Sequence, residues 1–290
     1  MADNPRSADS QIERRKFLAL LGAAGTYVPP AVVGLLNATP GYAGQAPSSL
    51  SSGSTSESGG GGTTLYAIAD TFLRRDSPHT NEGLNPLIRV GVDPVTRGAI
   101  RFDRDTLYAS LFPGALVQLV LHIANNHNDW GQYDDRTVSA HPLLEDFVEG
   151  NGRQSGMPGS LAARGTGPGA TWNSPEDPNV SDNSARGTSR HWNGGDRVGR
   201  RSAAAVVHIN QVEGVDVMWD VTRDVTTAGG FLVAGWTLKV DREPDGDDEH
   251  HGERLPAGFD RGWGGTVEYY SREGALAVGN AGWAPRLVIS

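Results

Sequence analysis

The sequence predicts an all-β domain over residues 65–290, built as a sandwich or barrel of short strands. Short runs of β-type composition recur along this region, and clusters of Gly, Pro, Asn and Ser separate them. Long stretches with helical periodicity are scarce. Because strands and helices do not alternate regularly, the pattern does not favour a parallel α/β sheet.

Alternating apolar residues identify the strands and the faces that they bury. Val117, Leu119, Leu121 and Ile123 recur at every second position, which predicts one inward-facing apolar side. Segments 215–220 and 232–240 show the same period, so Trp219 and Trp236 are expected in the core. The predicted strands cover residues 65–73, 87–91, 99–103, 115–124, 136–140, 203–209, 215–220, 232–240, 266–271 and 286–289. Two short helices are predicted at 104–111 and 222–227.

Two long segments lack strand patterns. Residues 149–200 contain eleven Gly, and residues 241–265 begin with a run of acidic side chains. Long loops on a compact sandwich often carry function, although they can also be inert insertions.

The first 43 residues predict an export signal. Arg14 and Arg15 precede a Lys-Phe-Leu sequence and an apolar stretch over residues 17–36, which resembles a twin-arginine signal with cleavage after Ala43. The alternative is a transmembrane anchor, but Pro29 and Pro30 interrupt the stretch. A cleaved signal predicts a secreted or cell-surface protein without stable membrane insertion.

Residues 44–64 predict a flexible Gly/Ser-rich linker between this signal and the domain. The formal net charge of the chain is −9, which argues against a general nucleic-acid binder. The sequence has no Cys, which excludes disulfides, Cys-ligated zinc and a thiol nucleophile. No phosphate loop, H-E-x-x-H motif or G-x-S-x-G elbow occurs, so no catalytic residue is assigned.

Seven short motifs in the C-terminal domain follow one another in a specific order. They are A-D-T-F at 69–72 with P-H-T-N-E-G at 78–83, R-G-A-I-R-F-D at 97–103, F-V-E-G-N-G at 147–152, G-A-T-W-N at 169–173, W-D-V-T at 219–222, Y-S-R-E at 270–273 and A-P-R-L-V at 284–288. In this order the set resembles the DNRLRE domains, which are related to carbohydrate-binding module family 96. Phe147 replaces a Trp that is usual in the family, and the acidic segment 241–265 is an insertion relative to it.

This resemblance implies an antiparallel β-sandwich of jelly-roll type with long Gly-rich loops and one or two short helices. It implies an exported, non-catalytic protein that binds polysaccharide, with an anionic polymer among the options. One alternative is a structural module of the cell surface that contacts cell-envelope proteins. Another is a polysaccharide lyase or hydrolase, for which sequence alone reveals no paired carboxylates.

The resemblance also places the candidate ligand-binding residues. Sugars stack on Trp, and the planar guanidinium of Arg grips carboxylate or sulfate groups. The candidates are the loop residues Trp130, Trp172 and Trp192 and the strand residues Arg89, Arg97 and Arg101. The alternative for each loop Trp is a structural anchor.

Sandwich domains of this kind often hold one structural Ca²⁺, a cation that prefers carboxylate and carbonyl oxygens. Asp70, Asp220 and Glu273 are the candidate ligands, because each lies at the end of a matched motif. The alternative is that these carboxylates cap turns and form ion pairs.

Overall fold

A computed structural model describes most of the chain from residue 62 to residue 290. The described residues are 62–92, 94–126, 135–143, 145–153, 161–182, 192, 194–195, 201–208, 214–226, 233, 235–241, 243 and 266–290. The predicted signal, nearly all of the predicted linker, Trp130 and most of the acidic segment lie outside these residues.

The described residues form eleven strands, three short α-helices and two 3₁₀ turns. The strands are β1 (Thr63–Tyr66), β2 (Ala69–Arg74), β3 (Leu87–Val92), β4 (Val95–Arg101), β5 (Val117–Asn126), β6 (Asp135–Pro142), β7 (Ala203–His208), β8 (Asp216–Asp220), β9 (Gly235–Val240), β10 (Thr266–Tyr270) and β11 (Arg286–Ile289). The helices are α1 (Arg104–Ala109), α2 (Thr222–Thr226) and α3 (Arg272–Ala277), and the 3₁₀ turns are Leu161–Arg164 and Ala281–Trp283.

The predicted all-β class is confirmed, and all strand pairs between named strands are antiparallel. The predicted strand 65–73 is two strands, β1 and β2, that join different neighbours. Helices α1 and α2 were expected, but α3, which follows β10 directly, was not. Within the described residues, no helix has the length and apolarity needed to cross a membrane.

Strand β5 joins two groups of strands. Along one edge it pairs with β8, from Gln118 to His122. Along its other edge it pairs first with β11 and then with β10. One group therefore has the order β1-β11-β5-β8. The second group begins at β10 and has the order β10-β3-β4-β9-β6-β7. Strand β2 is outside this order and pairs with β4 along the edge that β3 and β9 leave free.

The main core fills the space inside these strands. The four alternating residues of β5 are buried in it, as predicted, and so are Trp219 and Trp236. Trp219 donates from Nε1 to the carbonyl of Val138 at 2.8 Å, so its one polar group is satisfied inside the core.

A second, smaller core lies between the β2–β4 pair and the segments that follow β6. Phe147, Ala170, Trp172 and Trp192 pack there against Leu73 and other apolar residues of β2 and β4. The described parts of the Gly-rich region thus cover a sheet surface and contribute buried side chains.

Candidate metal centre

Three carboxyl groups from distant parts of the sequence meet at one end of β2. They belong to Asp70 on β2, Glu149 in the segment after β6, and Glu273 in the first turn of α3. One ligand oxygen from each lies within 4.8 Å of the other two. Asp70 is buried, and the other two are partly buried. The group can hold a metal ion.

The position of Glu273 follows from the way that α3 begins. Ser271 is the N-cap, and its hydroxyl accepts a hydrogen bond from the Gly274 amide at 3.0 Å. The amide of Ser271 donates to the carbonyl of Pro86 at 3.1 Å, which ties the helix start to the residue before β3. A Cβ on Gly274 would lie 1.9 Å from that carbonyl oxygen, so only glycine permits this close approach.

Glu149 is placed by a buried asparagine in the segment between β2 and β3. Asn81 donates from Nδ2 to the carbonyls of Glu149 and Ala170 at 2.7 and 2.8 Å. Its Oδ1 accepts from the amide of Gly152 at 2.7 Å. The side chain therefore holds the turn that contains Glu149 from both sides. Gly150 in that turn has a φ of 78°, in the left-handed region that favours glycine.

Arg272 supplies the positive charge beside the three carboxyl groups. Its Nη2 contacts Glu149 Oε2 at 2.5 Å and Glu273 Oε1 at 3.4 Å. Its backbone amide donates to Asp70 Oδ2 at 3.1 Å, and the amide of Asp70 donates to Glu149 Oε1 at 2.7 Å. The four residues form one connected network.

The charges in this network do not balance. Three ionised carboxylates and one guanidinium leave two negative charges in a buried position. Burial, followed by repulsion from Glu273, raises the pKa of Asp70 to about 7 from its ordinary 3.8. Burial also raises the pKa of Glu149 well above its ordinary value, and that of Glu273 in the same direction.

Two oxygens of the group find no hydrogen-bond partner among the described residues. They are Asp70 Oδ1 and Glu273 Oε2, and both atoms are buried. A buried carboxylate oxygen without a partner is costly, because it has lost its water and gained nothing in exchange. Hard oxygen donors with an excess of negative charge are the environment that divalent cations such as Ca²⁺ and Mg²⁺ prefer.

Two of the three predicted metal ligands, Asp70 and Glu273, belong to this group. Asp220 does not, since it is exposed at the end of β8 and its Oδ1 accepts from the amide of Thr222 at 3.0 Å. Asp220 thus caps the turn into α2, the alternative considered for it. Sequence reasoning missed Glu149, although the E-G-N-G motif that contains it was recognised.

Two of the three tryptophans that were predicted to stack on sugars are buried instead of exposed. Trp172 and Trp192 are 5% and 0% exposed and belong to the second core. Trp192 donates from Nε1 to the carbonyl of Thr171 at 2.7 Å, and the guanidinium of Arg97 lies 4.7 Å from the Trp172 ring centroid. In this conformation neither indole offers an open face to a sugar. Trp130 lies outside the described residues.

Two of the three predicted arginines are engaged with acidic partners. Arg89 Nε contacts Glu268 at 2.7 Å, and Arg97 contacts Glu243 at 2.5 Å with both side chains buried. The guanidinium of Arg101 lies over the ring of Phe147 at 5.7 Å. Because Arg89 and Arg97 lie beside carboxylates, they do not form a patch of uncompensated positive charge.

Comparison with models of known protein families finds no match to this chain, and a search of curated proteins finds no related sequence.

Proposed function

We propose that this chain is an exported, non-catalytic polysaccharide-binding protein whose β-fold is stabilised by Ca²⁺ held by Asp70, Glu149 and Glu273. The observation that carries the cation assignment is the buried acidic group, with three carboxyl groups beside one guanidinium and with the unpartnered Oδ1 of Asp70. Ca²⁺ would take the place of protons on these carboxylates and would link β2, the Glu149 segment and α3.

The test of the cation site is thermal unfolding of the full chain, first with EDTA and then with Ca²⁺ or Mg²⁺. Ligand that binds only the folded state stabilises it by RT ln(1 + [L]/Kd), or about 2.7 kcal/mol at 100 times Kd. We expect Ca²⁺ to raise the melting temperature and Asp70→Asn to abolish that rise. Asp220→Asn is the matched control and should keep the full response. An equal response in both variants contradicts the assignment.

The polysaccharide assignment rests on the ordered motifs that resemble DNRLRE domains. Four of these motifs contribute to one described network, through Asp70 and Asn81 of the first motif and through Glu149, Ala170 and Arg272 of three others. This convergence supports treating the motifs as a set, since residues far apart in sequence serve one local structure.

The test of polysaccharide binding is affinity electrophoresis of the full chain through gels that contain neutral, uronate or sulfated polymers. Retardation by at least one polymer supports the proposal, and free migration through all of them removes it. Self-assembly, or co-purification with cell-envelope proteins, would instead favour the structural module.

The enzyme alternative has less support from the described residues. The three carboxyl groups are close enough for acid–base chemistry, but Asp70 is 1% exposed and a glycan cannot reach it in this conformation. Tyr269, a candidate base by residue type, is fully buried, and burial raises its pKa. An assay for new reducing ends or unsaturated uronate tests this alternative.

A further inference from the structure

The turn that carries Glu149 contains a residue pair with a chemistry of its own. Asn151 is followed directly by Gly152, and Asn-Gly is the dipeptide that deamidates most readily, because glycine leaves its own amide nitrogen unshielded. The sequence has one other such pair, Asn193 and Gly194, of which Asn193 lies outside the described residues. Asn151 is exposed, so solvent reaches its side chain.

Deamidation at this pair begins when the Gly152 amide nitrogen loses its proton and attacks Cγ of Asn151. The new bond from that nitrogen to Cγ replaces the bond from Cγ to Nδ2, which takes up a proton and leaves as ammonia. The cyclic succinimide that results is opened by water at either carbonyl, which gives aspartate or isoaspartate. The reaction therefore needs a Gly152 amide without another partner and an Asn151 side chain that can turn back toward it.

The folded chain meets neither requirement at the Gly152 amide. This amide donates to Oδ1 of Asn81 at 2.7 Å, and Asn81 is fully buried. The space around Gly152 is also closed, since a Cβ there would lie 2.3 Å from the Asn81 carbonyl oxygen and 2.7 Å from that of Arg164. The nitrogen keeps its proton in a buried hydrogen bond, and the enclosed backbone has no room to rotate toward Cγ of Asn151.

The side chain of Asn151 is held as well. Its Oδ1 accepts from the Thr166 amide at 2.7 Å, and its Nδ2 donates to Thr166 Oγ1 at 3.2 Å. The neighbouring turn closes on the same group, because a Cβ on Gly165 would lie 2.5 Å from Asn151 Oδ1. The attacking and the attacked group are thus fixed by different partners, Asn81 and Thr166.

We propose that Asn151 is a latent deamidation site, which the bond from Gly152 to Asn81 keeps unreactive in the folded chain. The site reacts when the turn opens, whether or not a polysaccharide or a cation is bound. Its isoaspartate product adds one carbon to the backbone between residues 151 and 152. Asn81 bonds to the Glu149 carbonyl and to the Gly152 amide at once, so the longer backbone loses one of these bonds and Glu149 leaves its place in the metal centre.

The experiment is incubation of the full chain in mildly alkaline buffer, folded and in urea, with peptide mapping by mass spectrometry and isoaspartyl methyltransferase labelling. In the folded chain, Asn151 should deamidate at least about 10-fold more slowly than in urea, because the open form of a buried, hydrogen-bonded turn is rarely populated. Asn81→Ala should raise the rate in the folded chain by about 5-fold or more, because it removes the partner of the Gly152 amide.

Asn85→Ala is the matched control for Asn81→Ala. Asn85 is buried in the same segment, but its side chain bonds to Glu82 and to the Leu87 amide. Its loss should leave the deamidation rate at Asn151 close to that of the unmodified chain. Equal acceleration by both substitutions would overturn the role of Asn81.

Two further comparisons keep the proposal open to refutation if Asn81→Ala does not fold. Equal rates at Asn151 in the folded and the urea-unfolded chain would overturn the protection, and this comparison needs no variant. The isoaspartate fraction, returned from urea, should melt at a lower temperature than unmodified chain taken through the same steps. Asn151→Asp should melt close to the unmodified chain, because it keeps the backbone length. Unchanged melting of the isoaspartate fraction would overturn the effect on the metal centre.

Discussion

At the scale of single residues, buried polar side chains set the local structure of this protein. Asn81 is fully buried, and its amide group satisfies backbone groups in segments that are far apart in the sequence. Each such bond contributes about 0.5–1.5 kcal/mol net, and an orphaned buried partner costs about 1–3 kcal/mol. One side chain therefore determines whether the Glu149 turn is ordered for its role in the metal centre.

Replacing Asn81 by Ala should lower the free energy of unfolding by about 3–4 kcal/mol, because it leaves several buried backbone groups unpaired. Asn151→Ala is the matched control. Asn151 is exposed and bonds only to Thr166 among the contacts described here, so its loss should cost less than about 1 kcal/mol. Urea unfolding of both variants measures the difference. Similar losses in the two variants would contradict the role given to Asn81.

The pH dependence of stability follows from the carboxyl groups of the metal centre. Because the pKa of folded Asp70 is raised to about 7, the folded chain binds a proton that the unfolded chain has already released. This contribution to the free energy of unfolding is present in full below pH 3.8, the ordinary pKa of Asp, and it is lost as the pH rises through about 7. Glu149 and Glu273 act in the same direction.

In EDTA, deprotonation of these carboxyl groups should therefore lower the melting temperature between about pH 4 and pH 7. Asp70→Asn should make this pH-dependent decrease smaller. Ca²⁺ competes with protons for the same oxygens, so its stabilising effect should be larger near pH 8 than near pH 5. Melting curves with EDTA and with Ca²⁺ across this pH range measure both effects. An equal Ca²⁺ effect at both ends of the range would count against cation binding by these carboxylates.

At the scale of secondary-structure elements, α3 depends on one close contact. Its six residues are too few to be stable alone, so the helix depends on its cap and on packing against Pro86. Gly274 is the position where that packing allows no side chain. The helix start in turn carries both Arg272 and Glu273 into the metal centre.

Gly274→Ala should destabilise the fold by about 2–4 kcal/mol, although Ala favours helix by itself, because its Cβ would collide with the Pro86 carbonyl. The displaced helix start should also reduce the Ca²⁺ response. Leu276→Ala is the control in the same helix, since Leu276 is 45% exposed. Thermal unfolding with and without Ca²⁺ measures both variants. If Gly274→Ala keeps full stability, the start of α3 can move away from the Pro86 carbonyl without cost, which would contradict the role given to Gly274.

At the scale of the whole molecule, β5 is the strand on which the two groups of strands depend. It has partners along both edges, β8 on one side and β11 followed by β10 on the other. Strand β7, by contrast, ends the second group and pairs only with β6 among the described strands. Stability is therefore expected to be highest along β5 and lowest at β7.

Hydrogen exchange measured by mass spectrometry tests this distribution. Amides of β5 should exchange only through global unfolding, and those of β7 should exchange faster through local opening. Removal of Ca²⁺ should increase exchange in β2, the Glu149 segment and α3 more than in β7, which is the internal reference. Uniform acceleration in every strand would instead indicate a general loss of stability.

Local patterns in the sequence determined the strand faces and most of the strand bounds. Val117, Leu119, Leu121 and Ile123 face the core as expected, because a period of two is a property of the extended backbone itself. The capped turns also have local causes, as at Asp103, which accepts from the amide of Thr106 at the start of α1. Such features need no information from distant residues. Jelly-roll connectivity stays a prediction from the resemblance.

Only the tertiary structure decided which loop residues meet and which are buried. Glu149 joins Asp70 and Glu273 because Asn81 fixes a turn 68 residues away, a contact that no local pattern encodes. Trp172 and Trp192 look like exposed loop residues in the sequence, but they fill a second core over β2 and β4. Burial of a loop side chain depends on the surface that the loop happens to cover. Sequence therefore determined the β-domain, and long-range packing decided where its chemistry lies.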